Sequence, residues 1–136
     1  RWVLVNIDNG RLEMVDDKIL SKYQPEFDKC VFEDENFEKL REPETYQHEI
    51  EYEIKRSDID VNHHLHNINY LDLANEALPD DVYNNNKEFD NFRIFYKKEI
   101  KLGEKVKCKY TFLDGKNIVT IKSEDGKRLH SIIELN

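Results

Sequence analysis

The densest run of polar side chains in the sequence is Asp58-Ile59-Asp60-Val61-Asn62-His63-His64-Leu65-His66-Asn67. It stops where an apolar, helix-like stretch begins at Ile68. A helix start offers free backbone N–H groups and a partial positive charge. Those groups can hold a developing oxyanion, which is the demand of acyl transfer. Asp, Asn and His beside such a terminus could position a carbonyl and a water. A plainer reading stays open at this point, because Asp and Asn recur in turns and caps for backbone reasons alone. His63, His64 and His66 are adjacent or two apart, a spacing that fits no zinc site, so no metal is expected. No cofactor is signalled either.

The flanking pattern says what must position this loop. His48, Ile50, Tyr52 and Ile54 alternate with Glu49, Glu51, Glu53 and Lys55, the period of a strand with one buried face. Ile68 to Leu78 reads as a helix that is apolar on much of its circumference, with Asn69 as its cap and Pro79 closing it. Asn84-Asn85-Asn86 marks a turn. Four strand-like runs follow. Phe92, Ile94, Tyr96 and Ile100 share a face of the first, and Val106, Cys108, Tyr110 and Phe112 alternate with lysines and Thr111 in the second. The last two follow turns at Asp114-Gly115 and Asp125-Gly126. The order of strand, buried helix and antiparallel meander predicts an α+β domain, a curved antiparallel sheet wrapped around a central helix: the hotdog fold.

The rest of the chain reads differently. Residues 1–24 give a hairpin, turning at Asp8-Asn9-Gly10, and a short helix opening at Asp16. A lone hairpin is marginal, so this piece is expected to be the remnant of a first, larger domain. Residues 25–44 are acidic and aperiodic, a linker expected to pack through Phe27, Val31, Phe32 and Phe37; residues 45–136 form the main domain. The start lacks Met and is too short and wrongly flanked for a signal peptide.

Bulk properties narrow the function. The net charge of −8 argues against nucleic acid as the main partner. No run of about 18 apolar residues occurs, so no membrane-spanning helix is expected. Cys30 and Cys108 are far apart, which suits reduced thiols in the cytoplasm.

The string from Arg56 to Tyr70 resembles the signature of the acyl-ACP thioesterase family, in which a D-x-D-x-N-x-H-type stretch leads into the hotdog helix. Glu76 and Pro79 are in keeping with the helix end, and Phe95-Tyr96-Lys97-Lys98-Glu99 is similar to the family's Y-x-x-E strand segment. The resemblance, to bacterial-type members, covers nearly the whole chain. It implies two tandem hotdog domains, with catalysis on the second, and hydrolysis of fatty acyl-acyl carrier protein. It also implies a catalytic set of Asp60, Asn62, His64 and Glu99, with Glu99 as the base that activates water. Asn67, Lys97, Lys98 and Lys101 are the expected substrate-binding residues, and an acidic carrier protein the expected partner, beside a tandem domain or a second copy. Many plant members carry a cysteine after the glutamate; Ile100 stands there, which favours direct attack by water. The alternatives are an acyl-CoA thioesterase of the same superfamily and a non-catalytic acyl-binding module.

Overall fold

A computed structural model describes residues 4–29, 39–85 and 89–136. The chain divides into two compact units, Arg1–Phe37 and Glu38–Asn136. In the first, β1 (Leu4–Val5) pairs antiparallel with β2 (Leu12–Glu13). The Asn6 side chain accepts the N–H groups of Asp8 and Asn9, and Gly10 takes the positive φ that the turn needs. Helix α1 (Asp17–Tyr23) is capped by Asp16, whose carboxylate accepts from Ile19 N–H at 2.9 Å. Ile7, Leu12 and Met14 are exposed, and no α1 residue is buried, so these elements enclose no core among the described residues. Phe27 is likewise exposed, while Val31, Phe32 and Phe37 lie outside the described residues.

The second unit holds β3 (His48–Glu53), α2 (Asn69–Glu76), α3 (Asp80–Asn85), β4 (Phe92–Tyr96), β5 (Lys105–Leu113), β6 (Lys116–Ser123) and β7 (Leu129–Leu135). The five strands form one antiparallel sheet in the order β3-β5-β6-β7-β4. The β5–β6 hairpin turns on Asp114 and Gly115, both at positive φ, which an Asp-Gly pair tolerates. Tyr70, Leu73 and Ala74 of α2, with Ala77 at its C-terminal cap, share one buried core with Val106, Cys108, Tyr110, Val119, Ile121 and Ile133 of the sheet. Ala74 and Ala77 are fully buried; their small side chains let the helix lie close to the sheet. The order of strand, helix and four strands along the chain is the expected one, but only β5, β6 and β7 form a meander: β4 pairs with β7, at the edge opposite β3, and not with β5.

Two local expectations differ. Asn69 does not cap α2: the cap position is Ile68, with no side-chain cap bond, and the side chain of His66 accepts from Ile68 N–H at 3.2 Å instead. Asn84 and Asn85, expected in a turn, end α3. The sheet's other face is also covered in part. Thr120, Ile132 and Glu134 are buried there, Pro43 is buried, and Glu42 pairs with Lys122 at 2.6 Å.

Candidate active site

The polar loop begins with a knot around Asp58. Its carboxylate, largely buried, accepts from Lys55 N–H at 2.8 Å, the Tyr52 hydroxyl at 3.0 Å and the Ser57 hydroxyl at 3.2 Å. Burial raises its pKa, and these donors more than reverse that, leaving it below the usual carboxylate range. The next turn is tied by Asp60, whose Oδ1 accepts from the N–H groups of Asn62 (2.8 Å) and His64 (3.2 Å). Desolvation opposes ionisation of Asp60, but these bonds outweigh it and lower its pKa. His63 sits at the tip with φ 62°. The loop is then pinned to a second segment: Leu65 N–H bonds Ile100 C=O at 2.8 Å, and His64 bridges Lys101.

That second segment carries Glu99. Sequence reasoning put Glu99 on a strand, but β4 ends at Tyr96, and Glu99 lies in the connection to β5. Its Oε2 stands 3.3 Å from His64 Nε2, and its Oε1 3.5 Å from Lys101 Nζ. Both His64 and Glu99 keep solvent contact. A cleft of about 350 Å³ opens here, bordered by Asp60, Asn62, His64, Glu99, Asn67, Lys97 and Lys98. Lys101 lies outside it, lining a neighbouring hollow with Glu104 and Arg128. The backbone N–H of Asn67, one residue before the α2 cap position, has no hydrogen-bond partner among the described residues. A larger hollow of about 810 Å³ opens near Pro79, Val82 and Tyr110, and none of Asp60, Asn62, His64 and Glu99 lines it.

Two wall residues were not singled out from sequence. The Tyr96 hydroxyl donates to Asn67 C=O at 3.3 Å, and its ring meets that of Tyr70 edge-on at 5.0 Å. Burial pushes the Tyr70 hydroxyl up to about 12, with the Tyr96 and Glu99 charges adding to it, so it stays a neutral phenol. Both fall within the strings that carry the family resemblance, but the sequence assigns neither a role. Cys108 is fully buried, its thiol pushed up to about 12 by desolvation, and it packs as a core residue. Cys30 lies outside the described residues.

The family profile described as "Acyl-ACP thioesterase C-terminal domain" matches residues 41–134. Oleoyl-acyl carrier protein thioesterase 1, chloroplastic, from Arabidopsis thaliana is 25% identical over 107 residues, 73% of this chain and 29% of that protein. Oleoyl-acyl carrier protein thioesterase, chloroplastic, from Coriandrum sativum is 27% identical over 108 residues, with the same coverage of 73% and 29%. The chain thus spans less than a third of the length of these relatives. Among solved structures, the 12:0-ACP thioesterase from Umbellularia californica matches with a TM-score of 0.80 at 19% identity, over 96% of this chain and 50% of that one. An acyl-ACP thioesterase from Bacteroides thetaiotaomicron matches with a TM-score of 0.70 at 20% identity, over 96% and 51%. At these identities the likeness establishes the fold, a hotdog.

Proposed function

Since the chain belongs to the acyl-ACP thioesterase family through its C-terminal domain, we propose that it hydrolyses fatty acyl-acyl carrier protein, with water activated by Glu99. The observation that carries this reading is the approach of Glu99 Oε2 to His64 Nε2, 3.3 Å, in a cleft beside the start of α2. A carboxylate can accept a proton from water as its oxygen adds to the thioester carbon. The N–H of Asn67, which has no partner among the described residues, and the α2 terminus behind it suit the oxyanion that forms. Asn62 and His64 orient the carbonyl or the water. Asp60, bonded to both their backbone N–H groups, holds the turn that presents them. Collapse breaks the C–S bond, and the proton taken by Glu99 goes to the departing thiolate, leaving a free fatty acid and the carrier thiol.

Lys97 and Lys98 at the cleft, with Lys101 beside it, supply positive charge toward an acidic carrier protein. The cleft lies at the small end of the roughly 300–1,000 Å³ of small-molecule sites, enough for the thioester and its near neighbours. Residues 1–24 then represent the end of a first hotdog domain, 25–44 a linker and 45–136 the catalytic domain, working beside a tandem domain or a second copy. Ile100, where many plant members carry cysteine, supports direct attack by water; a bacterial enzyme of the cytoplasm serving fatty acid synthesis is the setting proposed for it. No helix of the described residues is long and apolar enough to cross a membrane.

The experiment is an assay of the full-length protein on matched acyl-carrier and acyl-CoA thioesters, reading free fatty acid. Faster turnover of the carrier substrate is expected. A preference for acyl-CoA would move the assignment to that substrate, and hydrolysis of neither would leave an acyl-binding module.

A further inference from the structure

Strand β7 carries one residue more than β6 at their far end. Lys122 pairs with Leu129 and Ile121 with Ser131, so His130 is the bulged residue between them. Bulges re-aim a side chain and release a residue from the ladder, and they concentrate next to functional sites. The His130 ring is 1% exposed, and its Nδ1 lies 3.2 Å from Lys98 C=O and 3.1 Å from Glu99 C=O. Carbonyl oxygens only accept, so Nδ1 carries the proton and is shared between them. The His130 carbonyl in turn accepts from Lys97 N–H at 2.8 Å and Lys98 N–H at 3.2 Å. One buried residue thus makes four contacts to the three residues that end in Glu99.

The Glu99 side chain has little else to hold it. It is about half exposed, and its partners stand at 3.3 and 3.5 Å. Its position relative to His64 is therefore set by its backbone. On one side that backbone is fixed by the polar loop, through Leu65 N–H to Ile100 C=O. On the other it is fixed by His130. An apolar side chain would fill the space, as Ile132 does nearby, but would leave two carbonyls without a donor. We infer that His130, through its ring N–H to the carbonyls of Lys98 and Glu99, is the positioning residue that holds the general base at the cleft. The inference rests on the proposed role of Glu99.

The test uses the full-length protein with His130→Leu, which removes the donor, and His130→Asn, whose amide nitrogen takes the place of Nδ1. A misplacement of about 1 Å can cost about 10²-fold in rate. His130→Leu should therefore lower kcat by about 10–100-fold with KM within about twofold, while His130→Asn recovers most of it. In a Glu99→Gln background, His130→Leu should add less than about threefold, because the group it positions is already gone. Should the Leu variant not fold, His130→Gln replaces it, since its amide nitrogen reaches the place of Nε2 and leaves the carbonyls unserved. A folded Leu or Gln variant with wild-type kcat, an Asn variant as slow as they are, or an undiminished loss in the Glu99→Gln background would overturn the inference. Wild-type turnover by Glu99→Gln alone would instead overturn the reading of the reaction.

Discussion

Removing the Asp58 carboxylate should unfasten the loop that carries the chemistry. Asp58→Ala deletes two short charge-assisted bonds, from Lys55 N–H at 2.8 Å and Tyr52 O–H at 3.0 Å. It also deletes longer contacts from Ser57 and Asn69 at 3.2 and 3.4 Å. Bonds to a charged group contribute about 1.5–3 kcal/mol each, and loss of the carboxylate also relieves its desolvation, so the expected net cost is about 3 kcal/mol. Asp58→Asn keeps one acceptor and should cost about half as much. Urea unfolding at pH 7 measures both. The pH dependence adds a sign. The folded carboxyl lies below its ordinary value: burial opposes this, but the Lys55, Tyr52 and Ser57 donors prevail. Its contribution is then complete above the unfolded pKa of about 3.9 and is lost as pH falls through the lower folded value. Wild type and Asp58→Ala should converge only in that acid range. An Ala variant within about 0.5 kcal/mol of wild type at pH 7 would refute the reasoning.

Other consequences are as direct. With its thiol pushed up to about 12, Cys108 should resist alkylation near pH 8.5 until the protein unfolds, and alanine at both Cys30 and Cys108 should leave turnover in place. Trapping of an acyl-cysteine would contradict that. Changing Lys97, Lys98 and Lys101 to Glu should raise KM for an acyl carrier, and the wild-type KM should rise with salt. A KM indifferent to both would place the carrier elsewhere.

The sheet was legible where one strand buries one face. Glu49 and Glu51 alternate with Ile50 and Tyr52, and Lys107 and Lys109 with Cys108 and Tyr110, which fixes both strands and their inward sides. Pairing between strands was not legible. The register sets Glu49 opposite Lys109 and Glu51 opposite Lys107, so lysines that look like a basic docking stripe are largely neutralised across β3 and β5. The second buried face of β6 and β7 was hidden for a similar reason: part of its cover comes from near Glu42, 80 residues from Lys122. In the site, the polar loop stood out by composition, and the backbone reading of its aspartates is partly right, because Asp58 and Asp60 spend their oxygens on loop N–H groups. Glu99 has no periodic signal, since it lies beyond the end of β4. His130 has none either, because a bulge shows only once two strands are paired.

Attack by water activated at Glu99 is tested most directly by a single-turnover, rapid-quench measurement with excess protein over acyl carrier. Free fatty acid and the intact mass of the protein would be followed for wild type and Glu99→Gln. Direct attack by water activated at Glu99 predicts release slowed by ~10²–10⁴ in the Gln variant, with no acyl mass on either protein. Release by Glu99→Gln at the wild-type rate, or an acyl group on the wild-type protein during turnover, would contradict it.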